Sequence, residues 1–248
     1  MKQLIRLIFA ALVLSMLPVA ELSAQANRVK PPTRNNQPAK PKPPKKKPTE
    51  TQPTKPSKRN YVNYCPDGNH PHMVDLGLPS GTKWACCNVG ASTPEDYGNY
   101  YAWGETKPKS TYSWDTYPYY NSEENVVYLP GDFAGTQYDA ATVNWGSPWR
   151  TPSKEQIKEL VNNCTFTWIT QNGVKGGKIT GKNGNSIFLP AAGSRVEGKL
   201  WRRGRCGSYW SSAIGELYRC AIELFFENSS ISDSNSNFDS GNPVRPVR

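Results

Sequence analysis

Histidine is almost absent, with two in 248 residues, His70 and His72. Ser–His and Cys–His nucleophile pairs therefore have almost no base to draw on. The two histidines flank Pro71 just ahead of the first expected strand, with Cys65 and Asp67 nearby. That spacing fits no common zinc pattern, so no metal, cofactor or catalytic residue is expected. Long apolar runs are scarce too. Leu7 to Ala20 is the one candidate, short of the ~20 residues of a helical span and followed at once by Glu21. Lys2 and Arg6 precede it and Ala24-Gln25-Ala26 follows it. This is the layout of a secretory signal peptide, residues 1–26, cut after Ala26. No cysteine follows that point closely, which argues against a lipoprotein anchor. There is no internal repeat.

Net positive charge is missing from most of the chain. The formal net charge is +10, but residues 27–60 carry eleven Lys and Arg against Glu50 alone. Residues 61–248 sum to −1. A nucleic-acid-binding domain with a basic face is therefore not supported. Residues 27–60 also hold nine prolines and almost no aliphatic side chains, so they have nothing with which to build a core. They read as a disordered Lys/Pro-rich linker, reaching on the order of 100 Å if extended. Its charge also suits contact with an anionic envelope polymer.

What is abundant is aromatic. The folded domain, residues 61–248, holds all eight tryptophans and all thirteen tyrosines. Val74 to Ala85 reads as two short strands around a Pro79-Ser80-Gly81 turn. Ala91-Ser92-Thr93-Pro94-Glu95-Asp96 reads as a helix start. Residues 106–148 read as a long irregular segment. Ser153 and Gln156 form a capping box for a helix whose Ile157, Leu160, Val161 and Cys164 share one face. Strands are expected over Thr165 to Thr170, Gly177 to Thr180, Ser186 to Leu189, Ser208 to Ala213, Ala221 to Glu227 and Val244 to Val247. Export permits disulfides among the six cysteines. Cys206 and Cys220 flank an expected hairpin and make a reasonable pair, and Cys87 and Cys164 are further candidates. If Cys86 and Cys87 lie in a strand, they point to opposite faces and one at most meets the core.

Several stretches occur together in a fixed order: VDLGLPSGTKWACCNVGA, GNYYAWGE, DAATVNWGSPWRTPS, NGNSIFLPAAGSR, YWSSA and the terminal PVRPVR. In this the chain, over about residues 72–248, resembles the Fibrobacter succinogenes major paralogous domain family of exported Bacteroidetes proteins. The helix entry at Arg150, Pro152 and Ser153 also resembles the formylglycine-generating-enzyme group. The resemblance implies an α+β, C-type-lectin-like domain: a small twisted antiparallel sheet, one or two helices, long loops and ends that meet near Val244–Val247. It implies an exported binding or adhesion module, periplasmic, secreted or at the cell surface, and not an enzyme. The implied partner is a glycan or anionic surface polymer, with an adhesin-like protein partner as the alternative.

Asp233 to Asp239 places oxygen side chains at alternate positions, as calcium loops do. Phe238 replaces the turn glycine and no glutamate closes the loop, so it reads as a polar hairpin tip. The sharper candidate is Lys199-Leu200-Trp201-Arg202-Arg203-Gly204-Arg205. Lys199, Arg202, Arg203 and Arg205 suit carboxylate, sulfate or phosphate, and Trp201 suits a sugar face. The alternative there is a solvated loop paired with Glu197 and Glu216. Tyr112 and Trp114, in the tyrosine-rich run that ends at Tyr120, are candidates for stacking on sugar rings, with loop packing as the alternative.

Overall fold

The two ends of the described chain meet on opposite edges of one short strand. The computed structural model describes residues 72–248, so the expected signal peptide, the linker, Cys65, Asp67 and His70 lie outside the described residues. Strands β1 (Met73–Asp75) and β2 (Lys83–Ala85) pair antiparallel, with Met73 opposite Ala85. Gly81 closes the turn between them at φ +73, donating to Leu78 O at 2.9 Å. The free edge of β2 takes the C-terminus: Ala85 N donates to Pro246 O and Lys83 N to Arg248 O. The C-terminal segment thus joins β2 and not the strand that follows His72, and Val244–Val247 is not the expected strand. It makes isolated bridges from Val247 to Trp84 and Arg150, because Pro243 and Pro246 remove the donors a ladder needs.

Ala91–Asp96 forms a turn and not the expected helix. The Asp96 carboxylate accepts from Ser92 N and Thr93 N, so it folds the chain back on the stretch that precedes it. Residues 106–148 are less irregular than expected. They hold a hairpin of β3 (Tyr120–Asn121) and β4 (Val126–Val127) and a short helix, α1 (Ala140–Trp145). Asp139 caps α1, accepting from Ala141 N, and also accepts from Thr151 N and Oγ1. Helix α2 (Lys154–Asn163) begins at the expected Ser153–Gln156 capping box. Its Ile157 and Leu160 are buried, while Val161 and Cys164 pack at the margin of the same core.

β5 (Thr165–Gln171), β6 (Val174–Thr180) and β7 (Ser186–Pro190) form an antiparallel sheet. Asn172 and Gly173, both at positive φ, turn the β5–β6 hairpin. A small hairpin follows, β8 (Ser194–Val196) and β9 (Lys199–Trp201). Then β10 (Cys206–Ile214), β11 (Cys220–Glu227) and β12 (Ser230–Asn237) make a second three-stranded sheet. β12 corrects the hairpin tip expected around Asp233. Its eight residues pair in full register with β11, from Ser230–Glu227 to Asn237–Cys220. Serine and asparagine are poor strand formers alone, but a complete ladder and α2 packed alongside override propensity.

The arrangement is α+β, with small antiparallel sheets and two α-helices among the described residues. One core gathers Tyr101, Trp103, Tyr112, Tyr117, Trp210 and Phe238. The other gathers Leu76, Trp84, Ile157, Leu160, Tyr209 and Phe226. No described helix is long and apolar enough to cross a membrane.

The cysteine pairings need correction. Cys164, Cys206 and Cys220 are separate thiols, so neither Cys206–Cys220 nor Cys87–Cys164 is bridged. Cys206 opens β10 and Cys220 opens β11, and the antiparallel register sets Cys206 opposite Glu227, at the far end of the ladder from Cys220. Cys164 packs with the α2 core while Cys87 is buried beside Cys86 and Ala91. Cys86 and Cys87 are both buried, 3.6 Å apart at sulfur, because β2 ends at Ala85 and strand alternation no longer applies.

Candidate functional site: a cationic cluster on aromatic faces

The β8–β9 hairpin presents the site. Glu197 (φ 49) and Gly198 (φ 74) form its turn, and Arg202 and Gly204, also at positive φ, coil the chain after β9. That coil lies hard against Gly193, where a Cβ would stand 2.0 Å from Trp201 O. Only glycine lets the backbone approach so closely. Trp201 is 49% exposed.

The arginines divide by partner. Arg202 is neutralised: its guanidinium lies 5.0 Å from the Trp201 ring and pairs with Glu227 at 2.6 Å. Glu227 stands where Glu197 or Glu216 was expected, and Glu216 instead pairs with Lys154 at 2.8 Å. Arg203 lies over the Tyr97 ring at 4.5 Å and donates from Nη2 to the Tyr100 hydroxyl at 3.4 Å. From β8, Arg195 covers the Tyr100 ring at 5.1 Å. Among the described residues Arg195, Lys199, Arg203 and Arg205 make no ion pair. Two guanidiniums are thus oriented by aromatic faces while no carboxylate neutralises them. Such forks suit two-point binding of a carboxylate, sulfate or phosphate.

Tyr100 anchors the group. It is buried, and its hydroxyl donates to Ala192 O at 2.7 Å. Burial pushes its phenol up, with Arg203 and Arg195 acting against that, so it is a neutral donor at physiological pH. Tyr112 lies beneath: it donates to Tyr100 O at 2.6 Å, and its own carbonyl accepts from Glu197 N. This corrects its expected role. At 1% exposure Tyr112 cannot stack on a sugar, and it works as a strut. Trp114 is partly buried, covered by Arg219 at 4.9 Å and by Tyr120 and Tyr117 edge-on. It too packs the loop.

Sequence reasoning gathered the Lys199–Arg205 loop and missed Arg195, Tyr97 and Tyr100. Arg195 was legible in one respect, as the lone cation four residues ahead of Lys199 in a short hairpin. The tyrosines are distant in sequence and gave no local signal. His72 is buried between Trp145 and Trp149, with ring centroids at 4.4 and 5.2 Å, and burial lowers its pKa. Among the described residues no group of three His, Cys, Asp or Glu is placed to hold a metal ion. No family model matches the chain, and neither a curated protein nor a solved structure resembles it significantly.

Proposed function

We propose that this chain is an exported, non-catalytic binding module of the Fibrobacter succinogenes major paralogous domain type, with a C-type-lectin-like arrangement, that recognises acidic glycans or a similar anionic surface polymer. The signal-like start, the Lys/Pro-rich spacer and the ordered motifs support export and the family. One observation carries the ligand class: Arg195 and Arg203 are held on Tyr100 and Tyr97 with no ion-pair partner among the described residues. A ligand bearing carboxylate or sulfate would meet oriented donors with little ordering cost. Trp201 offers an exposed ring for a neighbouring sugar face. Lys199 and Arg205 add long-range attraction that salt screens.

The test is a glycan array of neutral, uronic-acid and sulfated glycans probed with the full-length chain and with a Trp201→Ala/Arg203→Ala variant. Acidic glycans are expected to give signal that the variant loses. Absence of that signal, or its persistence in the variant, removes the proposal.

A further inference from the structure

Five exposed apolar side chains fall in two adjoining segments. Nine large hydrophobics are exposed among the described residues, and Val126, Tyr128, Ile214, Leu217 and Tyr218 come from two segments joined to each other. Ile214 N donates to Gly131 O at 2.8 Å, Asp132 bridges Ala213, and the Tyr218 hydroxyl donates to Asn125 O at 2.8 Å. Residues 125–132 are thus tied at both ends to the turn between β10 and β11. Single exposed apolar residues need no explanation, but a contiguous cluster marks an interaction surface.

The rings are also fixed. The Arg219 guanidinium lies within 5.0 Å of the Tyr218 ring, 4.4 Å of Tyr120 and 4.9 Å of Trp114, and donates to the Tyr120 hydroxyl at 2.6 Å. The Tyr128 hydroxyl donates to Glu124. Asn125 (φ 59) and Arg219 (φ 60), at the two contacts of Tyr218, both take left-handed backbone without being glycine. Strain is stored here while Tyr218 stays 69% exposed, an arrangement that lowers the ordering cost of a partner.

Composition and charge select that partner. Val126, Ile214 and Leu217 have no ring face for a sugar, which favours a protein. Glu123, Glu124, Asp132 and Glu216 lie in the same two segments and their turns. Among the described residues the cations at hand are Arg219, held in the aromatic stack, Lys154, already paired with Glu216, and Lys158, which acts on Glu216 at longer range. We propose that this surface docks a basic peptide segment of a protein partner, its apolar side chains on the tyrosines and its lysines or arginines on the carboxylates.

The test is panning of phage-displayed random peptides on the full-length chain. Enriched peptides are expected to carry Lys or Arg beside apolar residues. Their binding should fall about tenfold or more in Leu217→Ser/Tyr218→Ser and in Glu123→Lys/Asp132→Lys, and stay unchanged in Trp201→Ala/Arg203→Ala. The charge-reversal variant leaves every ring in place, so a folding defect in the first variant does not decide the matter. No enrichment over these variants, or enrichment of acidic peptides, overturns the proposal. So does an array signal for glycans that disappears with Leu217→Ser/Tyr218→Ser, which would assign the surface to sugars. Failure of the Arg195–Arg203 reading leaves this result untouched, because the two surfaces share no residue.

Discussion

Asn242 donates from Nδ2 to Glu223 Oε2 at 3.1 Å, with Glu223 5% exposed and Asn242 not exposed at all. Among the described residues no cation pairs with this carboxyl. Burial pushes it from 4.5 up to about 7, and bonds from Ser208 and Asn242 recover only part of that cost.

The consequence is a pH dependence of stability. Because the folded state holds the Glu223 proton more tightly than the unfolded chain, the contribution is complete below pH 4.5 and lost as pH rises through about 7. The loss is on the order of 3 kcal/mol. Glu223→Gln, a permanent mimic of the protonated form, is expected to raise Tm at pH 8 by on the order of 5 °C or more and to change it little at pH 4.5. An equal gain at both pH values, or a loss at pH 8, would show that the carboxyl is not the cause.

Arg245 is the opposite case, a buried cation with neutral partners. It donates to Asn88 Oδ1 at 2.8 Å, to Ala85 O and Cys86 O, and to Phe188 O at 3.0 Å. It thereby ties the C-terminal segment to the chain after β2 and to β7. Arg245→Met removes the charge but leaves four acceptors without a donor. We expect a loss of at least about 3 kcal/mol in urea unfolding. A loss below about 1 kcal/mol would mean that water replaces the guanidinium.

Three of the six cysteines are thiols, Cys164, Cys206 and Cys220. Burial pushes the Cys206 thiol up to about 11, which keeps it protonated and slow to oxidise. Any intramolecular crosslink must then come from Cys65, Cys86 and Cys87. Cys86 N donates to His72 O, and His72 is seven positions after Cys65 in the sequence, whereas Cys87 feels Arg245. Non-reduced peptide mapping of the full-length chain is expected to find Cys65 joined to Cys86. A Cys206–Cys220 peptide would refute the assignment.

The parts of the fold that could be read in advance are those with a local signature. The Ser153–Gln156 box, the α2 stripe and the Asn172-Gly173 turn each lie within a few residues. β12 was missed because its Ser, Asp and Asn residues become a strand only through β11 and α2. The site divides the same way. The loop Lys199–Arg205 was visible as an excess of cations in a neutral domain, but its partners arrive by tertiary contact. Glu227, Tyr97 and Tyr100 come from other parts of the chain, and it is Glu227 that removes Arg202 from the set of unpaired cations.

That division gives the sharpest test of the anion site. Arg203 uses a flat guanidinium twice, against the Tyr97 ring and toward the Tyr100 hydroxyl. Lysine keeps the charge but loses the plane and the fork. If only net charge matters, Arg203→Lys binds a polyuronate as wild type does at every salt concentration. If oriented donors matter, affinity falls about tenfold and the deficit survives at 0.5 M salt, about where exposed charges are screened beyond a few ångströms. Arg202→Lys is the internal control, since Arg202 is committed to Glu227 and its replacement should change affinity by less than about twofold. Calorimetric titration at two salt concentrations reads all three proteins. Equal losses in Arg202→Lys and Arg203→Lys would mean that the loop acts as diffuse charge and that the aromatic platform does not orient the ligand.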